Sequence, residues 1–398
     1  MGKKEKNPEA AAPALEAIRA EELLAAWFGL SRKGPDGTAG EDAAAESGET
    51  GNKSGETGSG SGAEGSGEGP WDLLCVLGPT ASGKTRYAVA LARKLDALLA
   101  EAGKPILARK GPTQPRLGER RGEEPESGDL APGKAPRVEI ISADSRQVYR
   151  GMDIGTGKDL DEYGEVPYHL IDIVEAGEKY DLFRYQADFE KVYREIRERG
   201  NIPLLCGGTG LYIQAVTEAF HLPDVPADPE LRAELEEADI EELREAYAER
   251  TEPDPEVMVS KKRLIRALEI LLSGKEIRRS DYAPKRTFFI GLSLPKEELH
   301  GRIAERLRTR LDNGMVEEVR GLLDRGLDTG DLIYYGLEYK FITYYLTGLM
   351  DRETMLSQLE TAIRHFAKRQ MTFFRSMESK GTVIHWTAPS LGPEGMNQ

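Results

Sequence analysis

The segment GPTASGKT (78–85) has the residue types and spacing that suit the binding of a chain of phosphates. Its glycines allow backbone amides to point inward around an anion at the start of a following helix. Lys84 supplies positive charge to the outer phosphates, and the Thr85 hydroxyl is a ligand for Mg²⁺. The motif predicts phosphate binding but leaves open which phosphate chain is bound, ATP included. The predicted phosphate-binding positions are Gly78, Thr80, Ala81, Ser82, Gly83, Lys84 and Thr85.

A carboxylate, Asp144, follows the apolar run RVEIISA in the segment SADSRQVYRGMDIGTGK. It could bind Mg²⁺, or it could cap a helix together with Ser145. It could equally be a general base that takes a proton from an incoming nucleophile. The residue types leave these roles open. The MDIGTGK segment, which includes Lys158, is either a ligand-contacting loop or an ordinary one.

A second glycine segment, GGTG (207–210), follows the apolar run IPLLC. Glycine lets a ligand approach the backbone closely, and the hydroxyl of Thr209 could donate to a phosphate oxygen. The alternative is a tight strand-to-helix turn that contacts no ligand.

Two helical segments carry basic residues. KKRLIRALEI (261–270) places Arg263 and Arg266 on one helical face, either as a diphosphate clamp or as a solvated basic face. AIRHFAKRQMTFFR (362–375) interleaves basic and aromatic residues, which suits an RNA backbone and stacked bases, although its phenylalanines could instead pack in the core. The net charge of -15 argues against a generally basic nucleic-acid binder, but residues 261–310 hold 14 basic and 6 acidic side chains, a net of +8. An acidic chain can still present one basic face to an acidic partner.

The apolar runs predict the scaffold that positions these residues. Strands that alternate with helical patterns indicate an α/β fold, a P-loop NTPase-like parallel sheet flanked by helices. Ligands collect at the carboxyl ends of such strands, so we expect the P-loop, Asp144 and the GGTG loop to converge on one crevice. The predicted strands are LLCVL (73–77), RVEIISA (137–143), IPLLC (202–206) and TFFIGLSL (287–294).

The chain divides into five predicted parts. Residues 1–70 are rich in Gly, Ser and Glu and are expected to form a disordered or weakly helical extension. The P-loop α/β core spans 71–220 and contains a flexible insertion at 104–136. A small helical inserted lobe follows at 221–260. Residues 261–380 form the remainder of the core and the RNA-contacting C-terminal helices, and 381–398 form a tail.

Composition excludes several classes of protein. The two cysteines, Cys75 and Cys206, lie in apolar runs, which argues against a disulfide scaffold and a cysteine zinc site. No segment approaches the about 18 uncharged apolar residues of a transmembrane helix, and no apolar segment follows the N-terminal lysines. We therefore expect a cytoplasmic monomer that does not interact with a membrane.

Taken together, these segments resemble the tRNA dimethylallyltransferases, also called tRNA isopentenyltransferases. The chain departs from the family in its insertion at 104–136, in VMVSKK (257–262), and in Phe341, where glutamate is usual. The words that carry the resemblance, in family order, are GPTASGKT, ISADSRQVYRGMDIGTGK, PYHLIDI (167–173), IPLLCGGTGLYIQAV, DPELRAELEE, RLIRALEI and FAKRQMTFFR.

The resemblance implies transfer of a dimethylallyl group from dimethylallyl diphosphate to N6 of the adenosine 3′ to the anticodon of tRNA, releasing diphosphate. It implies that Asp144 is the general base on the adenine amine and that Thr209 meets the bridging oxygen of the leaving group. Arg266 would neutralise the charge of the leaving group, and Mg²⁺ is the implied cofactor. The implied tRNA contacts are Asp144, Ser145, Arg146, Gln147, Lys262, Arg263 and Arg266.

Three alternatives remain open on the residues alone. A P-loop kinase would use ATP to phosphorylate a small molecule without tRNA. An adenylate isopentenyltransferase would prenylate free nucleotides, although the basic segments favour RNA. A P-loop RNA-binding module without activity would lose no reaction when Asp144 is replaced.

Overall fold

The computed structural model of the chain describes residues 71–101, 137–218, 225, 228–274, 284 and 286–389. The predicted extension at 1–70 and the predicted insertion at 104–136 lie outside the described residues. Among the described helices, none combines the length and the apolar composition of a transmembrane span.

Six parallel strands form one sheet in the order β3-β2-β4-β1-β5-β6. Three of them, β1, β2 and β4, are buried along their whole length, as expected for a parallel sheet covered on both faces. The predicted fold class, a P-loop NTPase-like parallel sheet flanked by helices, is confirmed. The strands are β1 (Leu73–Leu77), β2 (Val138–Ala143), β3 (Tyr168–His169), β4 (Ile202–Gly207), β5 (Thr287–Leu292) and β6 (Ile384–Thr387).

Two of these strands, β3 and β6, were not expected from the sequence. Strand β3 has only two residues, and β6 has the mixed sequence IHWT, so neither forms an apolar run. Strand β6 pairs with β5, where Phe289 lies opposite Ile384. Residues 384–387 therefore form a strand and are not part of the tail that the sequence predicted to begin at residue 381. The sequence shows no sign of this strand because the hydrogen bonds of β6 come from β5, which is far away in the chain.

Helices cover both faces of the sheet. Alternate residues of β1 enter different cores, with Cys75 on one face and Val76 on the other, because side chains alternate along a strand. Both cysteines are buried and free, as predicted. The helices are α1 (Lys84–Glu101), α2 (Leu182–Glu198), α3 (Gly210–Thr217), α4 (Pro229–Glu237), α5 (Ile240–Ala248), α6 (Pro255–Met258), α7 (Lys261–Leu272), α8 (Lys296–Asp312), α9 (Met315–Asp324), α10 (Thr329–Tyr335), α11 (Leu337–Leu346) and α12 (Arg352–Ser379).

Helices α4 to α7 form the inserted lobe, which has a small core of its own. Side-chain caps start two of its helices: Asp228 caps α4, and Asp239 forms a capping box with Glu242 at the start of α5. The predicted boundary at residue 260 is wrong, because α7 contributes apolar side chains to the same core. The buried members of that core are Leu243, Tyr247, Leu264, Ile265 and Leu268.

A buried carboxylate, Glu139, ties β2 to β3 and to the end of α2. One of its oxygens lies 2.6 Å from His169 Nε2. The carboxylate also accepts a hydrogen bond of 2.6 Å from Asn201 Nδ2 and two from Arg199 Nη2, at 2.8 and 3.0 Å. Burial alone would raise the pKa of Glu139, but these hydrogen bonds and the Arg199 charge outweigh it and lower the pKa from 4.5 to about 2.

Glu139→Gln is expected to lower the free energy of unfolding near neutral pH by about 3 kcal/mol. Because the folded-state pKa lies below the unfolded value of 4.5, the ionised group stabilises the fold above that pH, and its contribution is lost as the pH falls from 4.5 towards 2. Urea unfolding of both proteins between about pH 7 and about pH 3 measures this. A stability difference that is the same throughout that range would contradict the assignment.

Candidate active site

Three loops meet at the carboxyl ends of neighbouring strands. Gly207, at the end of β4, lies opposite both Ala143 of β2 and Leu77 of β1, so the loops that follow these strands start side by side. A crevice of about 350 Å³ opens there. The P-loop and Asp144 line the same crevice, as predicted, whereas no residue of the GGTG loop (207–210), which was expected there too, lines its wall. The predicted site residues in its wall are Thr80, Ala81, Gly83, Lys84, Thr85, Asp144, Arg146 and Gln147.

The P-loop backbone turns its amides inward. Ala81 and Gly83 both have positive φ angles, of 63° and 82°, with Ser82 between them. Alternation of this kind creates a concave nest of N–H groups that binds anions. A left-handed conformation costs a non-glycine residue about 1–3 kcal/mol and persists only where its surroundings hold it. The Ser82 hydroxyl is buried and has no hydrogen-bond partner among the described residues.

Lys84 is the cation at the start of α1. Burial is the largest influence on its pKa and lowers it, whereas the charge of Asp144 acts in the opposite direction without cancelling the effect. An anion in the crevice would favour the protonated form of Lys84 further. The arrangement suits a lysine that binds phosphate oxygens.

Asp144 fixes the turn after β2 with one of its carboxylate oxygens. Its Oδ1 accepts a hydrogen bond of 3.0 Å from the backbone N–H of Arg146, which fixes the turn after β2. Its Oδ2 accepts none from the described part of the chain. One oxygen therefore holds the carboxylate in place, and the other is available in the crevice wall.

Arg146 is held by a carboxylate that the sequence did not single out. Its Nη1 lies 2.6 Å from Oε2 of Glu338, which is buried at the start of α11. Burial acts to lower the pKa of Arg146, but the charges of Glu338 and Asp144 raise it overall. The guanidinium also lies 5.5 Å from the centre of the Phe366 ring, within cation–π range.

Ser145 and Gln147, the other predicted residues after β2, form hydrogen bonds within the protein. Gln147 accepts from the Ser142 hydroxyl at 3.2 Å and donates to the Gly157 carbonyl at 3.0 Å. The Thr209 hydroxyl accepts a bond of 3.1 Å from the Ser145 N–H. Thr209 thus contacts the Asp144 turn, although it is not among the residues that line the crevice.

The MDIGTGK loop contributes Thr156 and Gly157 to the crevice wall. Lys158 does not, because it is buried and its Nζ is already paired. The Nζ lies 2.6 Å from Asp153 Oδ1, forms a second ion pair with Asp172, and donates to the Tyr149 carbonyl at 2.7 Å. Its role is structural. A carboxylate on α9, Glu318, accepts bonds of 2.7, 2.7 and 3.0 Å from the backbone N–H groups of residues 153–155 and thereby fixes the loop.

The structure does not bring Arg266 to the crevice. Its Nη2 donates to the Val225 carbonyl at 2.8 Å, and its Nη1 pairs with Glu269 inside the lobe. Lys262 and Arg263 are exposed on the same helix. The predicted contact of Arg266 with the leaving group therefore has no counterpart in this arrangement, because its guanidinium is paired with the nearby carboxylate of Glu269.

Arginines of α8 stand at the crevice instead. Arg302 and Arg306 line it, and Arg306 Nη2 donates to the Thr80 hydroxyl at 3.0 Å. Burial and the neighbouring Arg310 charge lower the pKa of Arg306 to about 10. Arg310 is itself buried, and its Nη2 has no hydrogen-bond partner among the described residues. The signal in the sequence is the four-residue spacing of arginines in RIAERLRTR, which places them on one helical face.

Helix α12 supplies the last wall of the crevice through Phe366 and Gln370. The core-packing interpretation of its aromatic residues holds for Phe374, which is fully buried, whereas Phe366 faces the crevice and its stacking with RNA bases stays a prediction. Three basic residues of the same helix are exposed, Lys368, Arg369 and Arg375, and the Arg369 guanidinium lies 5.9 Å from the centre of the Phe366 ring.

The donors in the crevice fit Mg²⁺ rather than a metal held by protein alone. Thr85 and Asp144 offer oxygen ligands there, and the described residues contain no group of three or more side chains that could cage a metal ion. Mg²⁺ commonly takes one or two protein ligands and completes its shell with phosphates and water.

Comparisons with known proteins agree with this geometry. The family model described as IPP transferase matches residues 147–377, more than half of the chain. The tRNA dimethylallyltransferase 2 of Porphyromonas gingivalis is 46% identical over 326 residues, which cover 79% of this chain and 93% of that protein. The tRNA dimethylallyltransferase 1 of Parabacteroides distasonis is 44% identical over 336 residues, which cover 81% and 94%.

Solved structures show the same architecture. The full-length tRNA isopentenylpyrophosphate transferase of Bacillus halodurans is 31% identical, with a TM-score of 0.53 over 81% of this chain and 92% of that one. A eukaryotic dimethylallyltransferase acting on tRNA shares the fold at 20% identity, with a TM-score of 0.57 over 80% of this chain and 75% of that one. The chain therefore belongs to the IPP transferase family, that of the tRNA dimethylallyltransferases.

Proposed function

We propose that the protein transfers a dimethylallyl group from dimethylallyl diphosphate to N6 of the adenosine 3′ to the anticodon in tRNA and releases diphosphate. One observation carries the proposal: an anion-binding loop and a partly free carboxylate, Asp144, line the same crevice. That pairing suits a reaction in which a diphosphate leaves while a nucleophile loses a proton.

The cations of the crevice serve the leaving group. When the bond between the allylic carbon and the bridging oxygen breaks, negative charge gathers on the diphosphate. The P-loop amides, Lys84 and Arg306 are already in place to stabilise that charge, so little reorganisation is needed. Arg306 is suited to this task because Arg310 is its near neighbour, and an anion relieves the repulsion between the two guanidiniums. When bound, Mg²⁺ would add positive charge to the diphosphate, held by Thr85.

Asp144 serves the nucleophile. The exocyclic amine of adenine is weakly nucleophilic and must lose a proton as it attacks. Asp144 Oδ2 would take that proton, while the bond from the Arg146 N–H keeps Oδ1 in place. The contact of Thr209 with the bridging oxygen stays a prediction.

The RNA would reach the crevice across α12. Its exposed cations, Lys368, Arg369 and Arg375, suit contacts with RNA phosphates, and Arg369 is the one beside the Phe366 ring. The target base must leave the stack of the anticodon loop to enter the crevice, as in other enzymes that modify bases. Phe366, which lies within 6 Å of both the Arg146 and the Arg369 guanidinium, offers a ring at that entrance. Contacts from Ser145, Gln147, Lys262 and Arg263 remain predictions.

One assay tests the function. Labelled dimethylallyl diphosphate and Mg²⁺ are incubated with the protein and either unmodified tRNA or AMP, and a separate arm measures ATP hydrolysis. Label in tRNA alone supports the proposal. Label in AMP identifies an adenylate isopentenyltransferase, and ATP turnover without any label identifies a kinase.

The same loop could hold the phosphates of ATP, which remains a prediction of the motif. A cytoplasmic location and a monomeric state, both expected from the sequence, also remain predictions. Sedimentation of the purified chain tests the second of them.

A further inference from the structure

Gln370 on α12 joins two loops that are distant from it and from each other in sequence. Its Oε1 accepts a hydrogen bond of 2.8 Å from the Thr80 N–H in the P-loop, and its Nε2 donates one of 2.8 Å to the Gly208 carbonyl after β4. The side chain is 7% exposed. Both ends of one amide are therefore used, each for a different loop.

The fit is close on both sides. A Cβ atom at position 208 would lie 2.4 Å from Gln370 Nε2, so the amide needs the glycine that stands there. Thr80 precedes Ala81, whose positive φ needs a neighbouring constraint. Holding the Thr80 N–H supplies that constraint before any phosphate arrives.

The two hydrogen bonds of Gln370, here called the Gln370 bridge, connect the P-loop with the turn that carries Asp144. Thr209, next to Gly208, accepts a bond from the Ser145 N–H, and Ser145 adjoins Asp144. The position of Gly208 relative to Thr80 therefore sets the distance between the bound diphosphate and the carboxylate.

We infer that Gln370 is a positioning residue, whose amide holds the phosphate loop and the Asp144 turn at the separation that transfer requires. The expected effect of Gln370 on transfer rests on the proposed function. Its expected effect on diphosphate binding does not. Gln370 touches neither reacting atom in this role.

The test compares two variants. Gln370→Met removes both hydrogen bonds. Gln370→Glu keeps an acceptor for the Thr80 N–H, but an ionised carboxylate cannot donate to the Gly208 carbonyl, whereas a protonated carboxyl can both donate and accept. The matched control is Gln186→Glu, because Gln186 is also 7% exposed and donates to a backbone carbonyl, that of Ala215, at 3.1 Å.

We expect kcat for transfer to fall about 10- to 100-fold in both Gln370 variants near neutral pH, with KM for tRNA unchanged. The kcat of Gln370→Glu relative to the unaltered protein should rise as the pH falls towards the pKa of the introduced carboxyl, which burial raises and the crevice cations Lys84, Arg146 and Arg306 lower. The same ratio for Gln370→Met should stay flat. Gln186→Glu should lower the melting temperature but leave kcat per folded molecule unchanged at every pH.

Calorimetry with inorganic diphosphate separates this inference from the proposed function. Gln370→Met should bind it at least about threefold more weakly, since the loop is no longer held in advance. If the unaltered protein binds diphosphate but transfers nothing, the proposed function fails. Weaker diphosphate binding by Gln370→Met would then still support the role of the Gln370 bridge. A folded Gln370→Met with normal kcat and normal diphosphate affinity would overturn the inference.

Discussion

Asp144→Asn is expected to lower the rate of prenyl transfer about 10²- to 10⁴-fold, the range that a general base contributes. Asparagine can still accept the hydrogen bond from the Arg146 N–H, so the turn after β2 should keep its shape. It cannot take a proton from the adenine amine. Diphosphate binding should remain close to normal, because the P-loop amides and Lys84 are unchanged. Single-turnover transfer to tRNA and calorimetry with inorganic diphosphate measure the two effects.

Asp161→Asn is the matched control, because Asp161 is exposed and does not line the crevice. It should transfer at the normal rate. Near-normal transfer by Asp144→Asn would remove Asp144 from the base role. A loss of transfer that high Mg²⁺ concentrations restore would instead identify Asp144 as a metal ligand, the other role that its sequence context allows.

Arg306→Met is expected to lower kcat about 10²- to 10³-fold, the loss seen when one donor to a developing negative charge is removed. Its guanidinium stands at the P-loop, bonded to the Thr80 hydroxyl, and no ion pair joins it to a carboxylate within the described residues. Methionine keeps much of the apolar stem, so the packing of α8 should change little. Arg306→Lys should recover part of the rate, because it restores the charge without the planar fork.

The control on the same helix is Arg308→Met, because Arg308 is exposed and does not line the crevice. The contrast is Arg266→Met, which should destabilise the lobe through Glu269 and reduce transfer far less than Arg306→Met. A larger loss of kcat in Arg266→Met than in Arg306→Met would return the leaving-group role to Arg266 and contradict the assignment.

The sequence was sufficient for the parts of the site that follow directly from strands. β1, β2 and β4 are short runs of buried apolar residues, and parallel strands expose their following loops at one edge of the sheet. For that reason the P-loop and Asp144 could be placed in one crevice from their order alone. The ordered motifs likewise pointed to the family to which the chain belongs.

Contacts between distant segments could not be read in the same way. Gln370 is one polar residue in an amphipathic helix, and nothing in FAKRQ indicates that its amide spans 290 residues to Thr80. The pairing of Arg146 with Glu338 is equally invisible, since arginine and glutamate are residue types that mostly lie at the surface. The edge strand β6 depends on β5 in the same manner.

The sequence by itself thus determined the P-loop, the carboxylate after β2 and the four predicted strands, because each is a pattern of residues close together in the chain. Only the tertiary structure decided which arginine lines the crevice. A guanidinium pairs with whatever carboxylate or anion the fold places nearest: for Arg266 that is Glu269, whereas Arg306 is left facing the crevice.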